Sequence, residues 1–131
     1  MQDRAVFIGF GAPVRGREER AVEVFNEFVG MLGRMQSDGR IERMDVTLLD
    51  PHGGELGGFF MVHGSAEQCM ALQMDEEFRR ACIDATLIVE NFGVVPAATG
   101  EAVGEQMTMY SEAVRKVGVG GHALAGAHNG G

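Results

Sequence analysis

The chain is 131 residues long, 45% hydrophobic and 23% charged. These values suit one ordinary globular domain and exclude collagen-like, mucin-like and fully disordered classes. Its 19 acidic residues outweigh 11 basic ones, for a net charge of -8; this argues against a general nucleic-acid or anionic-membrane binder, because neutralising phosphates takes clustered Lys and Arg.

The first ten residues, MQDRAVFIGF, show no basic region followed by a long apolar core. No run of about 18 uninterrupted apolar residues follows anywhere. The expectation is a cytoplasmic chain with no membrane partner. Within that opening, residues 5–10 (AVFIGF) form a short apolar run rich in β-formers, stopped by Gly11 and Pro13. A buried strand is predicted there.

Residues 16–37 read as a helix. Ala21, Phe25, Phe28, Leu32 and Met35 step by 4, 3, 4 and 3, which places them on one face. Val22, Val24, Val29 and Met31 widen that stripe, and Glu18 and Glu19 suit the positive end of the helix dipole. Ser37, Asp38 and Gly39 end it.

Residues 40–49 alternate. Met44, Val46 and Leu48 share one side, and Arg43, Asp45 and Thr47 the other, as in a half-buried strand at a sheet edge. Asp50, Pro51, His52, Gly53 and Gly54 make a turn, and residues 56–63 return as a second strand to complete a hairpin. Ser65 followed by Gln68 matches a capping box, so a helix is predicted over 66–74. Asp75 caps a second short helix to residue 84, with Phe78 and Cys82 inward. Residues 86–95 (TLIVENFGVV) read as a fourth strand closed by Pro96.

Residues 99–117 form a last helix, with Val103, Met107, Tyr110, Val114 and Val117 again at 4, 3, 4 and 3 and Gly118 as its C-cap. The Gly-rich remainder carries no period and is expected to be disordered, with His122 and His128 incidental. The expected division is a domain over 1–117 and a tail over 118–131. Cys69 and Cys82 lack metal or redox spacing and read as small buried thiols. Met31, Met35, Met70, Met74 and Met107 sit at core spacing and read as packing.

The predicted order is β-α-β-β-α-β with an added C-terminal helix: an α+β, ferredoxin-like, four-stranded antiparallel sheet with helices on one face. Both sheet faces are then apolar. Val6, Ile8 and Phe10 oppose Phe7 and Gly9 on strand 1. Phe60 and Val62 oppose Phe59 and Met61 on strand 3. The fourth strand sets Leu87 and Val89 against Ile88, Phe92 and Val94. An exposed patch of that size is a liability, so the second face must be covered by the last helix, a partner's sheet, or both. Two subunits packed sheet on sheet is the economical solution, and a homodimer or dimer of dimers is expected.

On element order and on the stretch GGFFMVHGSAEQCMALQMDEEFRRACIDATLIVENFGVV, the chain resembles the dimeric α/β-barrel superfamily, in particular YCII-related and antibiotic-biosynthesis monooxygenase-like proteins. The resemblance covers residues 4–117. It implies paired sheets enclosing a barrel cavity. The activities within that superfamily range from cofactor-free oxygenation and lactone isomerisation to haem binding and degradation. The superfamily's catalytic His–Asp pair is not carried onto positions here.

No phosphate loop, dinucleotide fingerprint, nucleophile elbow or zinc-protease motif occurs; Gly9-Phe10-Gly11 reads as a turn. His63 closes strand 3, where an imidazole lining a cavity can serve as acid, base or ligand; the alternative is a rim histidine with a satisfied hydrogen bond. His52, in the hairpin turn, reads as exposed. Glu90 and Asn91 interrupt the apolar fourth strand. Glu90 among Ile88, Phe92 and Val94 would be a raised-pKa base, or else an edge residue or a subunit ion pair. Arg43, Asp45 and Thr47 either orient a polar substrate group inside a barrel or form a plain hydrophilic face.

Three readings follow. The first is an enzyme without a dedicated cofactor or metal, monooxygenase- or isomerase-like, acting on a small hydrophobic metabolite. It uses His63, Asp45 and Glu90 for acid–base work, and Arg43 and Asn91 for orientation. The second is a non-enzymatic module for ligand binding or assembly, and the third is haem binding at His63.

Overall fold

The structure, a computed structural model, describes residues 3–127, with side chains through residue 118. Elements follow as β1 (Arg4–Phe10), α1 (Glu18–Ser37), β2 (Arg43–Leu48), β3 (Gly58–Gly64), α2 (Ala66–Met74), α3 (Glu76–Thr86), β4 (Gly93–Ala98) and α4 (Glu101–Ala127). Two compact units result: residues 1–99, which hold the sheet and α1–α3, and residues 100–131, which hold α4.

The four strands make one sheet in the order β2-β3-β1-β4, antiparallel throughout. Consecutive strands β2 and β3 are a hairpin, and the helical connections bring β3 and β4 to either side of β1. This is the ferredoxin-like arrangement.

The core forms where helix and strand periods meet. Every second residue of β1 and β3 faces the helices, so Val6, Ile8, Phe60 and Val62 are buried there. From α1 the stripe Phe28, Met31, Leu32 and Met35 comes down onto them, and from α2 and α3 come Cys69, Leu72 and Phe78. The stripe on α1 is narrower than the sequence suggests, because Val22 is 61% exposed. Met70 and Met74 on α2 also point outward rather than packing.

The capping box at α2 is closed in both directions. The Gln68 amide donates to Ser65 Oγ at 3.1 Å, and the Ser65 amide donates to Gln68 Oε1 at 2.9 Å. Asp75 then caps α3. Its Oδ2 accepts from the Phe78 amide at 2.9 Å, and its Oδ1 accepts from the Arg40 guanidinium at 2.6 Å.

The Phe78 amide, with Arg40 assisting, holds the Asp75 carboxyl below the usual carboxylate range. Folding therefore favours the ionised form. That contribution is whole above the unfolded carboxyl pKa and is lost as pH falls through the lower folded value. Asp75→Ala is expected to cost about 1 kcal/mol at neutral pH. The difference from wild type should close on acidification below the ordinary carboxylate range, as read from urea midpoints against pH.

β4 differs from expectation. The run 86–95 is not a strand; α3 continues to Thr86, with Leu87 as its C-cap in helical geometry. Residues 87–92 then cross to β1, held by the Val14 amide on the Ile88 carbonyl at 2.9 Å and the Gly11 amide on the Glu90 carbonyl at 2.7 Å. β4 begins only at Gly93 and passes through Pro96. A proline is tolerated because β4 is an edge strand, where one side needs no ladder donor. At the other end of the chain, α4 runs past Gly118 to Ala127. The side chain of His122, and the whole of His128, lie outside the described residues.

Candidate functional site

Two periodicities and one register build the site. Along β2 the two-residue repeat turns Arg43, Asp45 and Thr47 away from α1–α3. The pairing of β2 with β3 sets Arg43 opposite His63, Asp45 opposite Met61 and Thr47 opposite Phe59. The pairing of β1 with β3 and β4 continues the same face through Phe7, which lies between Met61 and Val95. The second face of the sheet is thus polar along β2 and apolar across β3, β1 and β4. Phe7 and Phe59 touch there, ring centroids 5.2 Å apart.

Asp45 joins the polar edge together. Its Oδ2 accepts from Arg43 Nε at 3.1 Å and lies 3.2 Å from His63 Nε2. The His63 side chain is only 14% exposed, while Asp45 is about half exposed.

A carboxylate can only accept, so an imidazole proton shared with Asp45 would have to sit on Nε2. In the neutral ring the lone pair then sits on Nδ1, which has no hydrogen-bond partner among the described residues. Arg43 offers guanidinium nitrogens beyond the Nε held by Asp45, in a planar fork suited to a carboxylate or carbonyl oxygen. The arrangement sets an imidazole beside a carboxylate and a guanidinium, next to an apolar floor.

Of the five residues expected at a site, the structure brings together Arg43, Asp45 and His63. Glu90 and Asn91 are elsewhere. Both are exposed, on the connection before β4 rather than on a strand face. Asn91 adopts a left-handed φ of 55°, which asparagine tolerates better than most residues. The Glu90 backbone pairs with Gly11 and Ala12, past the end of β1 remote from Ala5, the partner of His63. At the strand rise per residue, that puts Glu90 about 20 Å from His63. The carboxylate held among apolar strand neighbours is therefore not formed.

His52 lies in the hairpin loop, its Nδ1 at 2.8 Å from the Asp50 carbonyl, and does not join the cluster. Cys69 and Cys82 are free thiols. Burial raises both, Cys82 to about 11, which leaves them protonated and poorly nucleophilic at neutral pH. Among the described residues no three His, Cys, Asp or Glu side chains are placed to hold a metal ion, and no helix is long and apolar enough to cross a membrane.

No family model matches the chain, and no curated protein matches it in sequence. Among solved structures it is similar to a candidate antibiotic-biosynthesis monooxygenase from Chloroflexus aurantiacus, at 12% identity over 74% of this chain and 93% of that one, with a TM-score of 0.47. It is also similar to a dimeric protein of unknown function and ferredoxin-like fold from Bacteroides fragilis, at 13% identity over 72% of this chain and 95% of that one, with a TM-score of 0.54. At 13% identity the likeness to the Bacteroides fragilis protein is one of fold, and it agrees with the strand order: this chain has the ferredoxin-like fold.

Proposed function

We propose that the protein is a small homodimeric acid–base enzyme, working without a cofactor on a hydrophobic metabolite that carries a carbonyl or carboxylate. The observation that carries this reading is the Asp45–His63 contact of 3.2 Å, at the polar edge of an otherwise apolar sheet face. His63 Nδ1 takes a proton from a carbon next to the substrate carbonyl. The imidazolium that forms is stabilised by the Asp45 carboxylate. Arg43 faces the oxygen that gains negative charge. Return of the proton to a different carbon completes an isomerisation and restores neutral His63.

The test is hydrogen exchange in D2O on a panel of small hydrophobic ketones and keto acids, followed by proton NMR. At least one member should lose its α-proton signal with the wild-type protein. The rate should fall about a hundredfold or more in His63→Ala and about tenfold in Asp45→Asn. No exchange across the panel, or exchange unchanged in His63→Ala, would favour a non-enzymatic ligand-binding module instead.

The second copy is proposed to cover the face holding Phe7, Phe59 and Met61. A dimeric neighbour of the same fold supports this, as does the cost of leaving such a patch in water. A stable interface buries at least about 1,200 Å² in total. Met61 lies opposite both Phe7 and Asp45, at the middle of that face. Met61→Glu is therefore expected to convert a sedimentation-equilibrium dimer into a monomer at micromolar concentration. A wild-type monomer at that concentration would contradict the arrangement.

A further inference from the structure

We infer that the protein has a second binding site, on the helix-facing side of the sheet, for a neutral apolar molecule of one or two aromatic rings. It lies on the opposite face from Asp45 and His63 and stands independently of the reading above. A cavity of about 310 Å³ opens between the N-terminal half of α1, the end of β1 and the crossing segment before β4. Its floor is buried core: Phe28 and Phe60 are each 3% exposed, and Val24 and Ile88 are buried beside them. Its mouth is formed by Val22 and Leu48, 61% and 64% exposed.

The cavity exists because the helix layer does not reach the end of β2. Along the helix-facing row of that strand Met44 packs on the core, Val46 is 38% exposed and Leu48 is 64% exposed. Coverage therefore thins towards the mouth.

The walls select the ligand. Every lining side chain is apolar. The nearby backbone is already committed: the Gly11 amide to the Glu90 carbonyl, the Glu90 amide to the Ala12 carbonyl and the Gly57 amide to the Phe10 carbonyl, at 2.7, 2.9 and 2.7 Å. A charged or strongly polar molecule would lose its hydration without replacement. Water fares little better, since a space for roughly ten molecules would offer them few partners. Phe10, Phe25, Phe28 and Phe60 already contact one another at centroid distances of 5.2 to 6.2 Å in tilted, edge and stacked geometries. A further ring extends that cluster by the same contacts. The volume is at the low end for small-ligand pockets, roughly 300–1,000 Å³, which sets the size at one or two rings.

The test is a fluorescence titration with the uncharged probe N-phenyl-1-naphthylamine. Saturable binding of one probe per chain is expected. Ala21→Phe, which puts a ring into the cavity, and Leu48→Glu, which puts a charge at its exposed mouth where folding is not at stake, should each weaken the probe about tenfold or more. Met74→Ala, an exposed apolar position on α2, should leave the affinity unchanged. Signal that rises without saturating overturns the site, and so does saturable binding that survives Leu48→Glu.

Discussion

Phe60→Ala is expected to lower the stability of the chain by about 4 kcal/mol, or to leave it unfolded. Phe60 stands in the middle of the helix-facing side of β3 and is 3% exposed. It stacks on Phe28 at 5.2 Å between centroids and meets Phe25 at 5.6 Å and Phe10 at 5.9 Å. Removing the ring takes away its own transfer free energy and the edge and face contacts of three neighbours. The void joins the cavity already present at that end of the sheet, so little collapse is available to recover the loss. Urea denaturation with an unchanged slope checks this. A loss below about 1 kcal/mol would mean that the ring cluster is not a load-sharing part of the core.

Gly11→Ala is expected to cost about 3 kcal/mol, a large penalty for adding one methyl group. A Cβ at Gly11 would sit 2.6 Å from the Glu55 carbonyl oxygen and 2.8 Å from that of Glu90. Both are backbone atoms, and the Glu90 carbonyl is also the acceptor for the Gly11 amide at 2.7 Å. The Glu90 segment cannot move away without breaking the pairing with Gly11 and Ala12 that carries the chain from α3 into β4. The contrast is Gly30, exposed in the interior of α1, where a Cβ would meet nothing within 4 Å. Gly30→Ala should stabilise by about 0.5–1 kcal/mol. Opposite signs in one set of thermal melts are the expected result; a neutral Gly11→Ala would contradict the close approach of these two loops.

How much of this was legible in the sequence depended on whether a segment had a period. α1 was readable because its apolar positions repeat every three and four residues, and β2 because its polar and apolar residues alternate. The α2 start was readable because Ser65 and Gln68 form a local chemical unit that needs no tertiary context. The segment 86–95 had no period. A continuous apolar run fits a buried strand or the buried end of a helix equally well. Packing of Ala85 and Ile88 against Ala21 and Val24 decided for the helix end and its crossing segment. Pro96 misled for a related reason: it stops a central strand but not an edge strand, and edge position is a property of the whole sheet.

The site was legible in its parts. Alternation along β2 put Arg43 and Asp45 on one face, and alternation along β3 put His63 with Phe59 and Met61. Their meeting requires the register that pairs Arg43 with His63, which the long Gly-rich connection between the strands does not specify. Glu90 is a candidate only if 86–95 is a strand; with β4 beginning at Gly93, the reason for it disappears.

The most direct measurement on Asp45 and His63 is long-range nitrogen–proton NMR of the His63 ring, followed through a pH titration and read on the neutral form at its alkaline end. The proton should reside on Nε2, with Nδ1 showing the shift of an unprotonated nitrogen, and Asp45→Ala should relax this towards a mixture of tautomers. A wild-type ring protonated on Nδ1, or a tautomer indifferent to Asp45→Ala, would contradict the assignment of Nδ1 as the base.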